Sequence, residues 1–236
     1  MLDKLITSPL MWITLTVGLY LLAARLKAKW PKNPLFTPLV FAIIMVILIL
    51  LVTGTPLETY NAGGQFIGLF VTPATVALAI KLEKNFVYLK QYYSAILTGI
   101  FSGVILHTIM IYIFGFIFQF DTQMAATLVP KSITTAIAVG VSESLGGIVS
   151  LTVAVVVFTG VIGAVIGPTV FKLFKIDDPV AQGVALGSSS HAMGTTKAIE
   201  MGDVQGAMSG LSIVVTGIVV VILAPLTQPL TQLFFG

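Results

Sequence analysis

The chain has 236 residues, of which 57% are hydrophobic and 9% charged, and a formal charge of +3. Its mean hydropathy is +1.06, far from a soluble composition with about 25% charge. Cysteine is absent and histidine occurs twice, which excludes disulfides, thiolate metal sites and a histidine zinc cluster.

Apolar runs long enough for a hydrocarbon core begin at the N-terminus. The stretch "MLDKLITSPLMWITLTVGLYLLAARLKAKW" has no small-residue cleavage site and ends in Arg25, Lys27 and Lys29, so it reads as a retained first helix rather than a cleaved signal. Spans are predicted near 9–26, 37–52, 65–80, 92–118, 147–171 and 206–230. Segments 125–142 and 179–200 carry Ser, Thr, Gly and Lys among apolar residues. They read as membrane-embedded but broken, because non-helical backbone at depth needs protein or a water-filled cavity around it.

The expected fold class is therefore an all-α polytopic membrane protein with about seven to eight membrane segments, two of them broken or re-entrant. It forms one membrane domain over 1–236: a first helix at 1–30 and two repeat-containing halves, 37–118 and 124–236. Basic residues cluster at Arg25–Lys32, Lys81–Lys90 and Lys172–Lys175, which places the N-terminus outside and these loops in the cytoplasm. With that topology, segment 125–142 must enter and leave on one side. "VTPATVALAI" before "TGIFSGVI" echoes "LVPKSITTAIAV" before "TGVIGAVIG". The two copies would be inverted, a recurrent transporter plan; chance likeness among Gly, Val and Ile runs is the alternative.

Two stretches carry candidate chemistry. In "PKSITTAIA", Pro130 interrupts helical bonding, Lys131 brings a cation, and Ser132, Thr134 and Thr135 bring hydroxyls. A lysine at a helix centre costs about 2.5–3.5 kcal/mol on insertion scales, so Lys131 is a candidate anion ligand unless it snorkels to an interface. In "LGSSSHAMGTTKAIE", Gly187 and Gly194 frame Ser188, Ser189, Ser190 and His191, followed by Thr195 and Thr196. A half-helix starting near Gly194 would aim its N-terminal amides at a small carboxylate. Lys197 and Glu200, three apart, are expected to pair with each other. His191 is either a proton-coupling group or a neutral hydrogen-bonding residue. His107 reads as structural and Glu143 as part of a solvated turn. Glycine pairs four apart support close helix packing and a homodimer. No zinc-protease, P-loop or nucleophile-elbow motif is present, so no enzymatic activity and no cofactor are expected.

The motifs "NPLFTPLV", "GGQFIGLFVTPATVALAIKL", "PKSITTAIA", "LGGIVSLTVAVVVFTGVIGAVIG" and "SSHAMGTTKAIEMGDVQGAMSGL" resemble, in order, the LrgB/CidB family, whose plant relatives form part of the plastid glycolate/glycerate translocator. The sequence departs from that pattern at Ala136, where many members carry proline, and at Thr72, where glycine is common. The resemblance implies residence in a bacterial cytoplasmic membrane and two functional accounts. One is a carrier of small organic acids such as pyruvate, glycolate or glycerate; the other is a holin/antiholin-like modulator of murein hydrolase activity and autolysis. It also implies a smaller LrgA/CidA-like membrane partner. The binding region is assigned to Pro73, Thr75, Lys131, Ser132, Thr134, Thr135, Ser189, Ser190, His191, Gly194, Thr195 and Thr196, with carriage as the main reading. A scaffold for a partner protein is a third reading.

Overall fold

A computed structural model describes residues 8–30, 33, 36–70, 73, 76 and 86–235. The described residues form helices and connections, and the chain divides into two compact units at 74/75. Four described helices are long and apolar enough to cross a membrane: Pro9–Lys29, Val87–Phe118, Val149–Leu173 and Asp203–Phe235.

The first unit holds α1 (Pro9–Lys29), α2 (Pro38–Thr53) and α3 (Leu57–Gly68). Proline opens α1 and α2, where its missing N–H costs nothing, and Gly54 at φ 62° ends α2. Trp12 is buried against Tyr60, edge to face at 5.7 Å. Close packing of α1 on α3 needs Gly63, where a Cβ would lie 2.6 Å from the Pro9 carbonyl oxygen. Of the echo at 71–80, only Pro73 and Val76 fall within the described residues.

The second unit contains α4 (Phe86–Phe118), α5 (Thr122–Leu128), a 3-10 turn (Val129–Ser132), α6 (Thr135–Leu145), α7 (Val149–Leu173), α8 (Pro179–Met201) and α9 (Asp203–Phe235). α9 is buried along most of its length and contacts α4, α5, α6 and α8. Buried from Met208 to Val220 except at Ile218, it is the pillar around which the unit is built. The Tyr112 hydroxyl ties α4 to it, donating to the Thr227 carbonyl at 2.9 Å.

The two segments expected to be broken are each folded back on themselves. Asp121 caps α5 by accepting from the Met124 amide at 2.7 Å, and the chain then leaves helical geometry between Leu128 and Thr134. Its return along α6 brings Ser142 back beside Thr127, since a Cβ on Gly147 would meet both, at 2.6 Å and 2.9 Å. The second fold has the same beginning: Asp178 accepts from Ala181 N at 2.8 Å, with Pro179 at the first helical position. α8 then breaks at His191, whose φ is 40° and ψ −126°. Beyond it the chain doubles back, because Gly194 lies against the Leu186 carbonyl and Ala198 shares a core cluster with Leu186. Twelve residues of straight helix would separate those two by about 18 Å.

Candidate functional site

These two hairpins lie against opposite ends of α7 and meet at its middle. Hairpin one is fastened to the start of α7 by a buried hydroxyl network. Thr127 Oγ1 donates to the Gln123 carbonyl at 2.7 Å and accepts from Ile148 N at 2.8 Å, while Thr152 donates to the Thr127 carbonyl at 3.0 Å. Ser142 completes it, 2.7 Å from Thr152. Hairpin two lies along the second half of α7. A Cβ on Gly167 would lie 2.8 Å from Leu186, one on Gly163 would overlap Ser190 Oγ, and one on Gly160 would lie 2.6 Å from His191 Cε1.

The meeting point is Val156. Its carbonyl oxygen lies 3.1 Å from His191 Nε2, and its side chain belongs to the same buried cluster as Val129 and Ile133 of hairpin one. The 3-10 turn packs on α7 and also touches α8. Lys131, Ser132, Thr134 and Thr135 are thus carried on the turn of one hairpin, and Ser190, His191, Gly194 and Thr195 on the turn of the other. The Thr195 hydroxyl lies 2.8 Å from Ser209 of α9.

Other expected residues stand apart from this meeting point. Thr196 is exposed and its hydroxyl returns to its own helix at the Ala192 carbonyl, while the exposed Ser189 donates to the Ala185 carbonyl and lies 3.0 Å from the Ser190 hydroxyl, at the edge of the meeting point. Pro73 belongs to the first unit, and Thr75 lies outside the described residues. Lys197 pairs with Glu200 at 2.9 Å, as its spacing implies. Lys131 has no carboxylate within ion-pair distance among the described residues. His107 Nε2 is buried and has no hydrogen-bond partner among the described residues.

Chemically, the turns present hydroxyls, one cation and two helix starts. Thr134 is the N-cap of α6, yet its Oγ1 makes no capping bond and is buried with no partner among the described residues. The Ile137 amide bonds the Thr134 carbonyl at 3.0 Å, which leaves the amides of Thr135 and Ala136 as the uncapped donors at the start of α6. Lys131 is carried on the turn that leads into α6, and a cation and uncapped amides together are a chemistry that suits an anion. No group of three or more metal-ligating side chains occurs among the described residues.

Apolar helices of membrane-spanning length, with two polar hairpins folded among them, define a polytopic helical membrane protein. The model of the LrgB-like family matches residues 16–230. Antiholin-like protein LrgB of Bacillus mycoides (strain KBAB4) is 40% identical over 195 residues, covering 83% of this chain and 85% of the relative. The proteins of that name from Bacillus cereus (strain B4264) and Bacillus anthracis (strain CDC 684 / NRRL 3495) match with the same figures. The chain belongs to the LrgB family. No solved structure matches it.

Proposed function

We propose that the chain is an antiholin-like protein of a bacterial cytoplasmic membrane, modulating murein hydrolase activity and autolysis. The observation that carries this reading is 40% identity, over 83% of the chain, to proteins named antiholin-like. The reading asks the fold for membrane insertion and an apolar surface for partners. Outward side chains such as Leu106, Phe116 and Ile117, 62%, 81% and 61% exposed in the unit, supply that surface. An LrgA/CidA-like protein is the partner proposed for it. Deleting the gene should speed detergent-induced autolysis and raise murein hydrolase activity, and re-expression should reverse both. Unchanged lysis in the deletion strain would rule the role out.

A second reading, passage of small organic acid anions, is favoured by one observation: two polar hairpin turns converge on the middle of α7 with Lys131 and two helix starts. Irregular backbone at membrane depth is tolerated where it lines a cavity, and inverted broken helices are a recurrent carrier plan. Uptake of labelled pyruvate or glycolate into proteoliposomes tests it, with and without an LrgA-like partner. Saturable uptake in wild type that disappears in Lys131→Ala supports carriage. Leakage of bulky dyes would instead indicate a pore.

A further inference from the structure

The last turns of α9 contain "TQPLTQ", from Thr227 to Gln232. Gln228 and Gln232, four apart, share one helix face. With Thr122 and Gln123 at the start of α5, they line a cavity of about 270 Å³ at the open end of hairpin one, away from its turn. Ala126 of α5 and Leu145 at the end of α6 add an apolar patch to the lining.

This wall is held in place without its carboxamides. Thr227 Oγ1 donates to the Ala224 carbonyl at 2.7 Å and Thr231 Oγ1 to the Thr227 carbonyl at 2.9 Å, while the Tyr112 hydroxyl of α4 lies 2.8 Å from Thr231 Oγ1. The side-chain amides of Gln123, Gln228 and Gln232, and the Thr122 hydroxyl, bond nothing among the described residues. Glutamines elsewhere in this unit do find protein partners: Gln182 donates to the Ile176 carbonyl at 2.7 Å, and Gln205 to Gln182 at 3.2 Å.

Each carboxamide sets donors and an acceptor side by side, the pattern that neighbouring hydroxyls on a ligand complement. No described lining residue is charged, and the nearest charges in sequence, Asp121 and Glu143, are both acidic. An anion entering here would give up water with no cation to replace it. A neutral ring with many hydroxyls suits the amides, and its C–H face suits the patch at Ala126 and Leu145. The volume lies below the about 300–1,000 Å³ of pockets for drug-sized ligands, which limits the occupant to about one ring.

We propose that this cavity is a binding site for an uncharged sugar, separate from the Lys131 region, in which Gln123, Gln228 and Gln232 bond the ring hydroxyls. A free sugar and the headgroup of a glycolipid present the same chemistry to it. The site stands whichever of the two functional readings holds.

Because the chain contains no cysteine, Thr122→Cys places a single reporter thiol in the lining, and Leu145→Cys provides a second on α6. The full chain is held in phosphatidylcholine nanodiscs, which leave both membrane faces open, and reacted with a neutral, water-soluble maleimide. Glu58→Cys, exposed in the first unit, sets the background. N-acetylglucosamine should slow labelling of both reporters and not of Glu58→Cys. Adding Gln228→Ala or Gln232→Ala should raise the half-protecting concentration by about three- to tenfold, the worth of one hydrogen bond. Glucuronate, a sugar ring bearing a carboxylate, should protect only at higher concentration. Discs containing a diglucosyl glycolipid test the second source: protection by that lipid, where the free sugar gives none, keeps the site and assigns it to a headgroup. No protection by either source, equal protection by glucuronate, or unchanged protection in both glutamine variants overturns the inference.

Discussion

A methyl group on Gly163 would overlap the Ser190 hydroxyl, so the second hairpin touches α7 with no room for a Cβ. Gly163→Ala must push the hairpin away, and overpacking of this kind costs about 1–3 kcal/mol. Gly103 also lies within a long helix, but a Cβ there would meet nothing within 4 Å. Gly103→Ala should hold or gain stability, by up to about 1 kcal/mol from helix propensity. Thermal unfolding in detergent compares the two, and equal midpoints would contradict the contact.

The breaks were legible because their residues are locally inconsistent with a lipid-facing helix. Pro130 and the hydroxyls around Lys131 announce the first, and the serine run between Gly187 and Gly194 announces the second. For 125–142 the charge pattern of the loops asks for entry and exit on one side, whereas for 179–200 the residues mark a break without giving the direction of the chain after it. A proline or a glycine marks where a helix stops, while the direction taken afterwards depends on contacts such as Gly194 against Leu186 and Gly147 against Thr127. The expected half-helix start at Gly194 falls three residues late, since the corner is His191, and positive φ is uncommon for any residue other than glycine.

The two lysines near the hairpins should behave oppositely. Lys197 is 35% exposed and bound to an exposed Glu200, a pairing worth about 0–1 kcal/mol. Lys197→Ala should leave thermal stability and either proposed activity unchanged. Lys131→Ala should abolish pyruvate uptake while insertion and folding persist, because Lys131 satisfies no carboxylate whose loss would destabilise the fold. Uptake by both variants, read alongside their yields and unfolding midpoints, separates a ligand-binding role from a structural one.

Thr127 and Thr152 hold hairpin one to α7 through hydrogen bonds that no water can replace without entering a packed site. Thr152→Val would strand both the Thr127 carbonyl and the Ser142 hydroxyl, at about 1–3 kcal/mol. Ser142→Ala removes one of the partners that Thr152→Val strands. The double variant should therefore be less destabilised than the sum of the singles, by about 0.5–3 kcal/mol in a mutant cycle. Strict additivity of the unfolding energies would show that the two hydroxyls are not coupled.

His191 turns the corner of hairpin two at φ 40° and ψ −126°, close to the first central position of a type II′ turn, which glycine dominates. A side chain held there costs about 1–3 kcal/mol. The imidazole offsets part of that cost by bonding the Val156 carbonyl at 3.1 Å and packing where Gly160 leaves space. His191→Ala keeps the strained backbone and loses the anchor, whereas His191→Gly loses the anchor but relieves the strain. Glycine should therefore be the milder substitution in thermal unfolding, reversing the usual order for a helical segment, where glycine is worse than alanine by about 1 kcal/mol. Hydrogen exchange at residues 190–194 should rise in both variants, because each frees the turn from α7. If alanine proves the milder of the two, the corner is not held at positive φ and the hairpin geometry at His191 is wrong.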